Sequence, residues 1–366
     1  MEKIKLNWIC FLNQSGYSQA AQNYIFSLEK TGYFDIKITT FGGRPSKPAI
    51  SDEKYEFFMR MAKKKDNPER ILIYHCIPNI QKRVKKKHHR SIGFATFETF
   101  QPPDHWVDIL NENDAIIVPS QFNYKIFSHM TIKKPLYYIP HCIDIETYHR
   151  DIVPLDNFDK YTFLFIGIWK ERKGYKQLLE AWGREFKDTD GVQLLVKTDK
   201  PKKAEQYFNK LRGQLGINKG FAPIIFENKV FNEKVLPNFI KSVDCLISPT
   251  MGEGFGYPGL QCMALGIPVI ITNYAGCKDY ANEDTAVLIE PSGFILHNNM
   301  DNIPQFRNKK WAFIEVNKIQ KAMRYVINHK DYIKIKTDRA YSYVRERFNY
   351  SKISNMFMGM VKELYG

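Results

Sequence analysis

No stretch of the sequence approaches the roughly 20 consecutive apolar residues that a membrane-spanning helix needs. The opening residues, MEKIKLNWICFLNQSG, run straight into a strand-like apolar segment, too short and too charged for a secretory signal. The expected location is therefore cytoplasmic, either free or peripheral on the cytoplasmic face of a membrane. Cysteines are few and scattered. Cys10, Cys76, Cys142, Cys245, Cys262 and Cys277 form no C-x-x-C pair, and several fall in apolar runs such as VDCLISPT. That spacing argues against disulfides and a zinc site and for reduced, mostly buried thiols. The nine histidines show no H-x-x-x-H ligand spacing.

Acidic residues are also in short supply, with 39 Asp and Glu against 54 Lys and Arg, a formal net charge of +15. The excess is local. Residues 60–90 hold 11 Lys and Arg against 2 Asp and Glu, concentrated in RMAKKKDNPER and QKRVKKKHHR. Such a run reads either as a solvated surface or as a docking face for something anionic: lipid headgroups, nucleic acid or an acidic glycan. The docking reading is preferred, with Lys63, Lys64, Lys65, Lys82, Arg83, Lys85, Lys86, Lys87 and Arg90 as its cations.

What is abundant is alternation. Apolar runs such as IKLNWICFL, DIKITTF, ILIYHCIP, SIGFATF and AIIVPS are separated by amphipathic stretches such as SQAAQNYIFSLEK and SQFNYKIFSHM, the latter with Ser120 as N-cap. Strands apolar on both faces and separated by helices indicate an α/β fold with parallel sheets covered on both sides. The pattern lapses in the polar stretch at 145–160 and then restarts at YTFLFIG. Two Rossmann-like, doubly wound domains are expected: residues 1–150, residues 151–335, and a closing helical segment, 336–366. Ligands of such sheets bind at the carboxyl ends of the strands, here in the gap between the domains.

GEGFGYPG, residues 252 to 259, places Gly254, Gly256 and Gly259 in the G-x-G-x-x-G spacing of a dinucleotide loop. Its neighbours reject that reading. Only LQCMALG separates Gly259 from the next strand, Pro258 stands where a helix should open, and IPVIIT ends in Thr272 and Asn273 instead of an acidic residue for a ribose.

The longer stretch LPNFIKSVDCLISPTMGEGFGYPGLQCMALGIPVIITNYAGCKDY resembles the signature of the large retaining glycosyltransferase family with the GT-B fold (the family-four type), whose members include many sucrose, lipid and lipopolysaccharide glycosyltransferases. The resemblance implies two Rossmann-like domains facing across a cleft and a last helix crossing back to the first. It implies a nucleoside-diphosphate sugar as donor, UDP- or GDP-linked, and neither a metal nor any other cofactor. Glu253 would bind the donor sugar, and Gln261, where the family carries a second Glu, the ribose. Gly254, Phe255 and Gly256 would bring backbone N–H groups close to the sugar and diphosphate. Lys173, in FIGIWKERKGYKQLLEAW, would contact the phosphates; Arg172 would substitute for the family's Arg, whose place holds Ile168. A DTD at 188–190 reads as a surface turn.

In the first domain, Gly16 of NQSGYSQAAQNY matches the family's first phosphate loop. Glu98 stands where many members carry a His near the reacting sugar, to orient the acceptor hydroxyl or stabilise an oxocarbenium-like sugar, or else to serve as a structural acceptor. His75 and His141 face the cleft or fill its core. The expected catalytic set is Glu253, Glu98 and Lys173, with His75 and Glu98 on the acceptor side. The acceptor is expected to be an anionic or membrane-associated glycan or lipid, with no obligate protein partner. Hydroxymethylated DNA is the alternative, and a non-catalytic nucleotide-sugar-binding relative a further one.

Overall fold

The computed structural model describes residues 2–13, 15–41, 50–84, 89–217 and 220–366. Lys85, Lys86 and Lys87 of the expected docking face lie outside them. In the first domain the chain runs β1 (Ile4–Phe11), α1 (Gly16–Glu29), β2 (Phe34–Phe41), α2 (Asp52–Ala62), β3 (Ile71–His75), α3 (Pro78–Val84), β4 (Ser91–Phe94), α4 (Trp106–Leu110), β5 (Ala115–Val118), α5 (Gln121–Ser128) and β6 (Leu136–Tyr138). The strands form one parallel sheet in the order β2-β1-β3-β4-β5-β6. Alternate residues of β1 explain why it needs cover on both sides: Leu6, Trp8 and Cys10 enter one core with α1, while Ile9 enters another with Leu72 and Tyr74.

The second domain runs β7 (Tyr161–Ile166), α6 (Tyr175–Glu185), β8 (Val192–Lys197), α7 (Pro201–Gln214), β9 (Ile224–Glu227), α8 (Leu236–Lys241), β10 (Cys245–Ser248), α9 (Tyr257–Ala264), β11 (Val269–Thr272) and β12 (Val287–Ile289). Its parallel sheet has the order β12-β11-β10-β7-β8-β9. An antiparallel hairpin follows, β13 (Gly293–His297) and β14 (Lys309–Phe313), then α10 (Val316–Asn328), α11 (Lys330–Arg347) and α12 (Tyr350–Tyr365). Two facing doubly wound domains of this kind are the GT-B architecture. No described helix is long and apolar enough to cross a membrane.

The return to the first domain begins later than residue 336. Ala340 and Val344 of α11 pack with Leu260 and Met263 of α9 in the second domain, whereas Ile353, Phe357 and Val361 of α12 join Trp8 and Ile36 in the first. The chain changes allegiance at Asn349, whose side chain accepts from Lys352 N as the N-cap of α12. All six cysteines are buried and unbridged.

Candidate active site

The carboxyl ends of both sheets face one cleft, and polar contacts bridge it. Asp279 accepts from Gln121 N at the start of α5 (3.0 Å), Glu233 accepts from Ser51 N (3.0 Å), and Asn23 donates to the Tyr257 hydroxyl (3.2 Å). The hairpin β13–β14 adds an apolar clamp: Met300 and Trp311 are fully buried among Ala95, Phe97 and Trp106 of the first domain. Phe100 N donates to Lys310 O and Ala312 N to Met251 O, so β14 is pinned between the loops of both domains.

Between the domains lies a cavity of about 400 Å³, within the range of small-molecule sites. Asn13, Ser15, Gln19 and Lys54 line it from the first domain; Gly167, Ile168, Lys197, Thr198, Val230 and Gln261 line it from the second. Ser15 caps α1, its hydroxyl accepting from Ser18 N. Gly16 opens that helix, and a Cβ there would meet nothing within 4 Å, so the protein's own packing does not require a glycine at this position. Gln261 is buried, and its amide donates to the Tyr148 hydroxyl at 2.8 Å.

Beside the cavity is a second, more densely charged cluster. Lys173 has its stem beside Gly167, and its ammonium group pairs with Glu253. Arg172 is buried with three carboxylates around it: Glu98 at 3.5 Å, Glu253 at 3.6 Å and Asp301 at 3.2 Å. These come from the first domain, the glycine loop and the β13–β14 connection, respectively. Their environments drive Glu98 and Glu253 apart. Burial raises the Glu98 carboxyl, with Arg172 opposing it incompletely. Burial also presses Glu253 upward, but Lys173 and Arg172 together outweigh it and hold Glu253 below the ordinary carboxylate range. Two carboxyls pushed in opposite directions at one site are an arrangement suited to distinct charge and proton roles.

The expected donor residues fall into different surroundings. Arg172 and Lys173 do not line the cavity; both are engaged by carboxylates, on a short segment that ends in the left-handed turn at Gly174 (φ 74°). Gly254 and Gly256 answer first to protein packing. A Cβ at 254 would stand 2.1 Å from Thr96 Oγ1 of the first domain, and Gly256 has φ 92° with the Tyr280 hydroxyl against it. Phe255 turns into the core against His141, Tyr280 and Phe348. Pro258 does not prevent a helix: it sits in the first turn of α9, where the missing N–H needs no partner.

His75 ends β3 stacked on Phe94 at 4.1 Å, and His141 lies between Tyr24, Phe255 and Tyr257. Both rings are buried with Nδ1 lacking a hydrogen-bond partner, and burial lowers both, His141 to about 3. They fill an aromatic core. Of the basic stretch, Lys63, Lys65, Lys82, Arg83 and Arg90 are exposed. Lys64 pairs with Asp35 (2.7 Å), and Arg90 lies over the Tyr365 ring. Arg70 is buried against Asp35 and is structural. The Asp188–Asp190 turn is held by Asp190, which accepts from Lys187 N and pairs with Arg324.

Asp301 has no counterpart among the residues expected from the sequence. It lies in GFILHNNMDNIPQFRNKKWAF, outside the glycosyltransferase-like signature. Two short alternating runs around an Asn- and Asp-rich turn are a hairpin signal, but nothing in that signal points to Arg172.

Residues 160–296 match the family model described as Glycosyl transferases group 1. The fold is the GT-B fold, and the matched segment is similar to that glycosyltransferase family. Among solved structures, sucrose-phosphate synthase from Thermosynechococcus elongatus is 13% identical and superposes with a TM-score of 0.71, covering 99% of each chain. A glycosyltransferase from Rickettsia africae gives 0.70 at 14% identity over 100% of this chain and 99% of its own. Anabaena HepE, solved in complex with UDP and glucose, gives 0.66 at 11% identity over 98% and 100%. The serotype-specific mannosyltransferase WbdA of Escherichia coli is 25% identical over 122 residues, 33% of this chain and 14% of its own. This chain therefore matches about a seventh of the length of that curated relative.

Proposed function

We propose that the protein is a retaining glycosyltransferase that moves a sugar from a nucleoside-diphosphate donor to a hydroxyl of an anionic or membrane-associated glycan or lipid. The observation that carries the reading is the adjacency of the interdomain cavity to the Glu98–Arg172–Glu253–Lys173 cluster. The cavity takes the nucleoside, with Gln261 on the ribose. Ser15 and the N-terminus of α1 face the diphosphate, where free N–H groups favour negative charge. Lys173 exchanges its carboxylate partner for the leaving phosphate, supplying charge stabilisation where the glycosidic bond breaks. Glu253, ionised, holds the donor sugar. Glu98, whose proton affinity burial raises, orients the acceptor hydroxyl from the first domain.

The UDP complex of HepE and the mannosyltransferase similarity support a nucleotide-sugar donor; retention rests on the signature around Glu253. The exposed Lys63, Lys65, Lys82 and Arg83 support an anionic acceptor surface. The test is release of free nucleoside diphosphate from UDP-, GDP- and ADP-sugars, with and without phosphatidylglycerol vesicles carrying extracted glycolipid, or hydroxymethylated duplex DNA. Release stimulated by the vesicles supports the proposal. Stimulation by DNA alone replaces the acceptor, and silence across the panel from folded protein rejects transfer.

A further inference from the structure

The hairpin between the second sheet and α10 reaches into the charged cluster at one point. Met300 is fully buried in the interdomain apolar cluster, and the next residue, Asp301, adopts φ 59°, ψ 11°. That left-handed conformation is one that Asp and Asn tolerate and most residues do not. It turns the Asp301 carboxylate inward, where its side chain is 1% exposed. Lys170 Nζ holds the Asp301 carbonyl at 2.8 Å, fixing the backbone from the other side.

We propose that Asp301 is a positioning residue for Arg172, by which seating of the hairpin on the first domain sets the geometry of Glu253 and Glu98. The inference rests on the glycosyltransferase reading for its catalytic consequence. Arg172 has one side, Nε, and one fork, Nη1 and Nη2, to place. Asp301 takes the Nε side at 3.2 Å, which leaves Nη1 to Glu253 and the Gly252 carbonyl and Nη2 to Glu98. The Nε and Oδ2 atoms are close but out of line, and neither makes a hydrogen bond. The attraction is therefore one of charge, stronger in a buried site than in water. An amide of the same shape would keep the backbone and lose it. Because Met300 and Trp311 are buried in part against Ala95, Phe97 and Trp106 of the first domain, the carboxylate is presented where the hairpin seats on that domain.

The test is Asp301→Asn, which keeps the left-handed residue and removes only the charge, beside Asp301→Glu, which restores charge on a longer arm. Three readouts are taken: the Arg172 Nε–H resonance by 15N NMR, affinity for UDP, GDP and ADP by calorimetry, and turnover of whichever sugar in the donor panel is active. In the wild type the Nε–H signal is resolved and slow to exchange with solvent. In Asp301→Asn it exchanges fast, kcat falls about 10- to 100-fold, as for a misplaced catalytic group, and nucleotide affinity stays within about threefold. Asp301→Glu recovers part of the loss. An unchanged Nε–H signal, or equal loss of kcat in both variants, overturns the proposal. If wild-type protein turns over no sugar, the transferase reading fails on its own, and the resonance alone decides whether Asp301 positions Arg172.

Discussion

The Gln261 amide donates to the Tyr148 hydroxyl across 2.8 Å, both buried at the edge of the interdomain cavity. Tyr148 lies where the first domain gives way to the polar connection at 145–160, so the residue expected to meet the ribose is tied to the segment between the domains. Gln261→Ala leaves the phenol without this partner at a cost of about 1–3 kcal/mol. The expected result is a donor KM raised about tenfold with kcat changed less. Tyr148→Phe keeps Gln261 in the cavity and weakens donor binding less than Gln261→Ala. Steady-state kinetics on both variants separates the two.

Glu253→Gln removes the charge that holds Lys173 and one arm of Arg172. Loss of one preorganised electrostatic partner predicts a fall in kcat of about 10²- to 10³-fold. Arg172→Met is expected to be worse for folding than for any single step. It leaves Glu98, Glu253 and Asp301 buried together, and breaking such a network costs about 3–5 kcal/mol. Chemical denaturation checks the second effect, nucleoside diphosphate release the first.

Two glycines predict opposite outcomes. A Cβ at Gly252 would lie 2.2 Å from the backbone oxygen of Glu98, so Gly252→Ala must part the domains there. The expected result is a larger radius of gyration by small-angle X-ray scattering and loss of turnover. Gly16→Ala meets no protein atom within 4 Å. It should leave stability within about 0.5 kcal/mol and weaken donor affinity.

Acid should destabilise the fold through the two core histidines. In the unfolded chain each takes up a proton near pH 6.5; in the folded protein burial keeps them neutral, His141 down to about 3. The unfolded state therefore binds more protons as pH falls below 6.5, and stability drops by about 1.4 kcal/mol per pH unit for each histidine. His141→Phe, placed among Tyr24, Phe255 and Tyr257, should flatten that slope by one proton. Urea denaturation at pH 7, 6 and 5 measures it.

The parallel strands and the loop-and-helix frame around Glu253 were legible because burial on both faces leaves continuous apolar runs, and β10, α9 and β11 each left a distinct one. Side-chain direction was not. Phe255 sits between two loop residues in sequence, and only the tertiary position of His141 and Phe348 draws it into the core. Arg172 and Lys173 read as phosphate ligands from their place before Gly174, yet the carboxylates that engage them come from residues 98, 253 and 301, whose convergence no local pattern encodes. Within the basic stretch, composition alone does not separate surface cations from structural ones. Arg70 and Lys64 pair with Asp35, 35 and 29 residues upstream.

The late return of α12 to the first domain orders events during synthesis. Ile353, Phe357, Met360 and Val361 belong to the same core as Leu6, Trp8 and Cys10. On a ribosome adding about 5–20 residues per second, roughly 10–40 seconds separate emergence of β6 from emergence of the helix that completes its sheet's cover. For that interval the second domain, whose strands and helices are contiguous in the chain, can mature while the first waits with one flank open. A nascent chain halted before Tyr350 should therefore present exposed apolar surface to chaperones from its oldest, not its newest, half.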